Sequence, residues 1–459
     1  MSIKLLTSED ADPNYLACVV KCPNVDDHPN ADRLSIVEVF GNTIVVEKGQ
    51  YVKGETLVYF PVESSISRKF LSWANLYESP SLNSDGVTKS YFTSSGRVKA
   101  VRLRQIPSQG FLFKIENLAR YYNCKVSDFT LGTSFDIVDK DVLVTKYIRQ
   151  ESKSNSLNVK KVKIPNWVNV LVGKLPRPIR KSVYIPIRWY YSVNPDVGIK
   201  HQIVNGQFKF HYSTEHLGKN IFMLKPDDDI TITSKWHGTS FIAGNLLCKK
   251  RLPWYKKLLP NTVYNEYKLI YASRHTLKNR RDGVYTDDVW SKHAKALEGL
   301  IPEGITLYGE IVGWSNNGRH VQKNYTYGVK PGESELRVYR LTDTDKLGQV
   351  NEYGWPSIEA FCRSIGYKTV PVYYVGKAKD VFPLLIVDDD WSKNFLDALK
   401  VKYLDKPCEF TNTGIVNEGI VLKINNRLYK PVYKFKSPEF LVMESKSRDS
   451  GEENLDEEN

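Results

Sequence analysis

Between Ser152 and Pro195 the chain carries nine basic residues: Lys153, Lys160, Lys161, Lys163, Lys174, Arg177, Arg180, Lys181 and Arg188. The stretch has no aspartate or glutamate, and prolines at 165, 176, 178 and 186 interrupt it. Prolines break helices and central strands, and unopposed cations repel one another. Such a stretch cannot found a core, so it divides the 459-residue chain into two folding units. As a linker it is a solvated charged face; as a strap it lies along phosphates. Composition leaves both open. The expected organisation is a first domain over 1–150, this basic linker over 151–199, a second domain over 200–443 and an acidic tail over 444–459. The tail, ESKSRDSGEENLDEEN, is polar and poor in apolar residues, so it is expected to be disordered.

The first unit reads as short strands. YLACVVKC, LSIVEVF, TIVVEKG and ETLVYFPV are β-branched or aromatic runs separated by Pro, Asn, Asp and Gly, and VKAVRLRQI and GFLFKI follow a polar loop at 78–96. About five short strands in this length fit a small barrel of the OB type, with one helix at 116–123. In the second unit, 287–300 places Val289, Trp290, His293, Ala294, Leu297 and Leu300 at helical spacing behind Asp287 or Asp288. Further helices are expected from Ser357 to Gly366 and over 391–404. Between them lie strand-like runs without regular βαβ alternation. The expected class is α+β, with antiparallel sheets and flanking helices.

A formal charge of +13 and a pI near 9.1 point to a polyanionic partner. The six cysteines (Cys18, Cys22, Cys124, Cys248, Cys362 and Cys408) form no C-x-x-C pair, and read as thiols of a reducing compartment. There is no apolar signal core and no run approaching the ~18 apolar residues of a membrane span. A monomeric, soluble cytoplasmic protein with no membrane partner is expected, from a cellular, viral or phage source.

The chemistry-bearing fragments lie in the second unit. In order they are Lys235-Trp-His-Gly-Thr-Ser240, Ser273-Arg274, Tyr308-Gly-Glu310, Arg337-Val-Tyr339, Glu418-Gly-Ile-Val-Leu-Lys423 and Lys434-Phe-Lys436. Singly each has a plain alternative: a surface lysine, a turn entering a strand, the solvated face of an edge strand. As an ordered set over 235–436 they resemble the motifs of the covalent nucleotidyltransferases, the superfamily of ATP-dependent ligases and mRNA capping enzymes. K-x-H-G-T-S, rather than K-x-D-G-x-R, resembles the RNA ligase branch, as does the arginine of Ser273-Arg274.

The resemblance implies an adenylyltransferase domain in which Lys235 attacks the α-phosphate of ATP and carries AMP. Lys434 and Lys436 fall on one face of a strand and form a cationic wall for that phosphate. Gly238 leaves room for the nucleotide beside the strand end. By the same resemblance Arg274 contacts the ribose or the 5′-phosphate, Glu310 contacts the ribose, and Tyr339 stacks on adenine. Here R-V-Y-R departs from the usual aromatic-Asp ending. Glu418 and Glu310 are the expected ligands of Mg2+ or Mn2+. His237, Trp236 and Trp314 read as packing residues.

In the first unit, His28-Pro-Asn-Ala-Asp-Arg-Leu34 resembles the OB domains of tRNA-binding proteins. Gly96 to Gly110 resembles the OB domain that opens one RNA ligase family. Arg97, Lys99, Arg102 and Arg104 are the expected RNA phosphate contacts. Lys249–Arg251, Lys256-Lys257 and Arg280-Arg281 would extend the track. DNA ligases and capping enzymes carry their OB domain last, whereas only about twenty residues follow Lys436 here. The whole resembles RNA ligases with an OB domain first, which join a 3′-hydroxyl to a 5′-phosphate at nicks in duplex or templated RNA. The rivals are a GTP-dependent capping guanylyltransferase, a DNA ligase and a non-catalytic RNA-binding protein.

Overall fold

The structure, a computed structural model, describes residues 3–148, 166–176, 180, 183, 202–250, 264–278, 288–411 and 414–450. Most of the basic linker, Arg251, Lys256, Lys257, Arg280, Arg281 and residues 451–459 lie outside the described residues.

In the N-terminal domain Ala17–Lys21 pairs antiparallel with Thr56–Phe60, which pairs with Phe111–Lys114. Beside them Val25–Asp27, Leu34–Val39 and Asn42–Glu47 make a three-stranded meander, and Ala100–Leu103 with Ile106–Gln109 a hairpin. Strand residues alternate faces. Ala17 and Val19 join a core of Val58, Phe60, Phe70, Phe113 and Phe135. Cys18 and Val20 point the other way, into Val37, Ile44, Leu57, Tyr59 and Leu112. Both faces being covered, Ala17-Cys-Val-Val20 is an unbroken apolar run and not an alternating one. Helix Ile115–Tyr121 stands where expected. All six cysteines are free, and all but Cys124 are buried.

The second domain is two sheets facing across a cleft, with helices outside. One sheet orders Asn265–Ala272, Thr239–Lys249, Ile305–Gly313, Ser334–Thr344 and Val350–Glu352, with Lys368–Thr369 added in parallel to Ser334–Thr344. Helices Val289–Ala296 and Trp355–Ser364 cover its outer face of Phe241, Ala243, Leu307, Ile311 and Val338. The other sheet orders Glu215–His216, Val432–Lys436, Gly419–Ile424, Asp229–Ser234 and Val372–Lys377. Its outer face, Ile230, Ile232, Ile420, Leu422 and Phe435, packs on helix Trp391–Leu399. Register puts Thr231 opposite Lys423, Val421 opposite Lys434 and Gly419 opposite Lys436, so the inner face is polar. The fold is α+β as expected, an OB-fold domain preceding a sheet-rich domain, although two strand pairings are parallel.

Local expectations shift in three places. The helix expected over 287–300 starts as expected behind Asp288, whose carboxylate accepts from Ser291 N, but ends at Ala296. The helix expected from Ser357 begins at Trp355, because Asn425 Oδ1 accepts from Trp355 N across the fold. The expected helix 391–404 is α-helical to Leu399 and widens to a π turn over Lys400–Leu404. A larger correction concerns the tail: Pro438–Ser450 is a helix, so residues 444–450 are ordered. Ser437 Oγ accepts from Phe440 N to cap it, and Phe440 and Val442 are buried.

The two domains are docked. A side chain at Gly218 would stand 1.9 Å from Phe40 O, and one at Gly41 would stand 2.9 Å from the Phe435 ring. Lys400 reaches Glu38 at 2.9 Å, and Asp12 accepts from Ser213 Oγ at 2.8 Å.

Candidate nucleotidyl-transfer site

Lys235 leaves strand Asp229–Ser234 at the mouth of the cleft, its backbone N–H bonded to Gly419 O at 2.9 Å. Its Nζ lies 2.6 Å from Glu418 Oε1, on the facing strand end. Glu418 is buried, 3% exposed, and its Oε2 has no hydrogen-bond partner. A buried carboxylate oxygen left bare costs free energy unless a cation or donor satisfies it. Lys436 Nζ lies 3.9 Å from the same carboxylate.

Lys434 stands two residues from Lys436 on the same inner face. Burial first, then repulsion by Lys436 and Lys235, push its ammonium down to about 7; Asp12 opposes the shift and Arg274 adds to it. Arg274 is exposed at the turn after Asn265–Ala272, and its charge is felt also at Tyr339, His211 and Tyr15. Cations crowded at a buried position favour an anion among them.

Gly238 N donates to Glu310 Oε1 at 3.0 Å, and Gly238 O accepts from buried Gln322 at 2.9 Å. A Cβ at 238 would meet Ile311 O at 2.3 Å. The backbone of Ile305–Gly313 thus gives position 238 a reason of its own to be glycine. Trp236 stacks on Tyr327 at 4.0 Å, and His237 meets Tyr325 and Phe440 edge-on, so both pack as expected.

Tyr339 lies half-buried on the inner face, edge-on to His211 at 5.4 Å. Burial and then the Glu310 charge drive its phenol upward, against a hydrogen bond with Ser240. His211 also meets Tyr308, and burial holds its imidazole down to about 3, so it is neutral at pH 7. Sequence reasoning missed His211, which lies in a stretch without a motif.

The expected phosphate contacts of the N-terminal domain stand elsewhere. Arg97 is 2% exposed and clamped on Glu63. Lys99 pairs with Asp449 at 2.9 Å, and Arg102 with Glu439. Arg104 is exposed but sits in the hairpin turn at φ +45°, not on a strand face with Arg102. Three of the four cations are thus taken by acids of this same chain.

Among the described residues no group of three or more His, Cys, Asp or Glu side chains is placed to hold a metal. One or two carboxylates suffice for magnesium, and the bare Glu418 oxygen fits that demand.

Residues 228–436 match the model of the RNA ligase family, and residues 16–115 that of an OB-fold domain. That RNA ligase match spans most of the second domain and less than half of the chain. Among solved structures, the Naegleria gruberi RNA ligase with pyrophosphate is 15% identical, covering 95% of this chain and 99% of its own at a TM-score of 0.52. A variant of that enzyme with AMP and manganese is 14% identical over 94% and 98%, with a TM-score of 0.53. Another, with ATP and manganese, is 15% identical over 94% and 99%, with a TM-score of 0.52. At these identities the likeness is one of fold. A comparison with curated protein sequences gave no match. No described helix is long and apolar enough to cross a membrane.

Proposed function

We propose that the protein is an ATP-dependent RNA ligase that carries AMP on Lys235 and joins a 3′-hydroxyl to a 5′-phosphate at nicks in duplex or templated RNA. The observation that carries this reading is the Lys235–Glu418 pair at 2.6 Å, set beside Lys434 and Lys436 in the cleft of a ligase-family domain.

As found, Lys235 is held by Glu418. To act, Nζ leaves Glu418, gives up a proton and bonds to the α-phosphorus of ATP while the bond to the pyrophosphate oxygen breaks. An oxygen of the RNA 5′-phosphate then takes the adenylyl group as the P–N bond breaks. A 3′-hydroxyl finally attacks that 5′-phosphorus, loses its proton and expels AMP. Lys434 and Lys436 supply cationic charge where negative charge gathers on phosphate oxygens. Glu418 would hold the divalent ion, which when bound neutralises phosphate charge. Tyr339 and neutral His211 line the base side of the cleft, and Glu310 fixes the turn after Lys235 through Gly238 N.

The test is incubation with α-labelled ATP and magnesium followed by denaturing electrophoresis. Label on the wild type and none on Lys235→Ala is expected. Label from GTP alone turns the reading to a capping guanylyltransferase, and label retained by Lys235→Ala removes the covalent assignment. Comparing nicks with an RNA or a DNA 3′-hydroxyl strand then separates RNA from DNA ligation.

A further inference from the structure

The helix Pro438–Ser450 starts two residues after Lys436 and carries a chain of alternating charges out of the cleft. Lys436 Nζ donates to Glu444 Oε2 at 2.9 Å. The other Glu444 oxygen lies 3.6 Å from Arg448 Nη2, one helical turn on. Arg448 Nη1 reaches Glu63 Oε2, in the N-terminal domain, at 2.9 Å. Glu63 also receives Arg97 Nη2 at 2.6 Å and Ser445 Oγ at 2.9 Å. Arg97 Nη1 closes the circuit on Asp449 at 2.8 Å, and Lys99 braces the same carboxylate.

This is a demanding way to dock two domains. Glu63, Arg97 and Ser445 are exposed by 5%, 2% and 2%. Glu63 is held at φ +64°, a backbone region that costs a non-glycine residue of order 1 kcal/mol. Desolvating such ions can outweigh their attraction. Adhesion is already served by Phe40 and Gly41 against Gly218 and Phe435. What directional, buried ion pairs add is placement. The end they place is the carboxylate that holds Lys436 beside Glu418. Burial pushes the Glu444 carboxyl up, but Lys436 and Arg448 outweigh it and hold it down to about 2, so this charge persists at any working pH.

We infer that Glu444 is a positioning residue for Lys436, set through Arg448 by Glu63 and Arg97, so that the OB-fold domain takes part in adenylyl transfer to the protein and not in RNA binding alone. This rests on Lys436 acting at the phosphates as proposed above.

Arg448→Met and Arg448→Lys in the full chain test it, because the first interrupts the circuit between Glu444 and Glu63, the second keeps its charge, and both leave the Glu63–Arg97 pair intact. The rate of label transfer is measured against ATP concentration. Arg448→Met should lower the maximal rate about tenfold, the scale seen when a supporting partner of a reactive group is lost. KM for ATP should change by less than about threefold, since ground-state binding is not what is removed. Arg448→Lys should restore most of the rate. A cycle of Glu63→Gln, Glu444→Gln and the double variant should give a combined loss close to that of one single variant. A wild-type maximal rate in Arg448→Met, no recovery in Arg448→Lys, or losses that multiply in the cycle overturns the inference. Lys436→Ala separates the two ideas. If it transfers label normally, the reading of Lys436 has failed; if it is inactive while Arg448→Met is normal, only the circuit has.

Discussion

Gly238→Ala is the substitution whose effect follows most directly from geometry. A methyl at 238 would lie 2.3 Å from Ile311 O, 2.8 Å from Val312 Cγ1 and 2.9 Å from Glu310 Cγ. The nearest obstacle is backbone at the centre of a sheet, paired on one side with Thr239 and on the other with Leu336. The strand cannot yield, so the Lys235–Gly238 turn must lift by about 1 Å to reach ordinary contact. That lift stretches the Gly238 N to Glu310 hydrogen bond, a charge-assisted contact of roughly 1.5–3 kcal/mol. Overpacking of this kind destabilises by about 1–3 kcal/mol, or roughly 2–4 °C of Tm per kcal/mol in a domain this size. Lys235 lies three residues away and moves with the turn. A misplacement of about 1 Å in a reacting group can lower its rate by about a hundredfold. The expected result is a folded protein, melting a few degrees lower, that takes label from ATP about a hundredfold more slowly. Melting by circular dichroism and a time course of label transfer would read both. A variant that adenylylates at the wild-type rate would show that this contact does not set the position of Lys235.

Nucleotide binding should take up a proton above neutral pH. Burial and the neighbouring cations hold Lys434 down to about 7 against 10.5 as a free side chain, so by linkage folded stability rises with pH between those values. A phosphate beside it restores the proton: affinity should be flat below about pH 7 and fall above it by up to about tenfold per pH unit. Calorimetry at pH 8 in two buffers of different ionisation enthalpy measures the uptake, and none would remove Lys434 from the phosphate site. For RNA, Arg104→Ala should lessen the slope of log affinity against log salt by about 0.7–0.9, the value of one phosphate contact, whereas Arg102→Ala should leave the slope unchanged. Equal changes in both would restore Arg102 to the RNA surface.

Much of the architecture was legible because it rests on local signals. The apolar runs of the barrel, the helical spacing of Val289, Trp290, His293 and Ala294, and the alternation that sets Lys434 and Lys436 on one face are properties of neighbours in sequence. What escaped depends on distant partners. Trp355 begins its helix because Asn425 caps it from seventy residues away. The turn at Arg104-Gln105 has two positive φ angles without the Asn-Gly that advertises one. The contact that demands glycine at 238, with Ile311 O, lies on a strand 73 residues further on. The terminal helix did leave a local trace, since Ser437-Pro438-Glu439 is a helix start and Glu444 and Arg448 are four apart. Its composition read as disorder because Glu439 and Asp449 are balanced by cations of the other domain and Glu444 by Lys436.

That balance changes what the basic character of the chain means. Arg97, Lys99 and Arg102 look in sequence like a cationic stripe awaiting phosphate, yet each meets Glu63, Asp449 or Glu439. A cation already paired with a carboxylate must give up that partner to neutralise a phosphate, so it adds less to affinity than a cation without one. Two of these acids, Glu439 and Asp449, lie on the helix whose Glu444 also holds Lys436. An RNA that competed for these arginines would have to break the same contacts that place Glu444, and it would disturb the cleft as it bound. The N-terminal domain is therefore better suited to receive RNA on faces the terminal helix leaves open, Arg104 among them, than on the stripe itself.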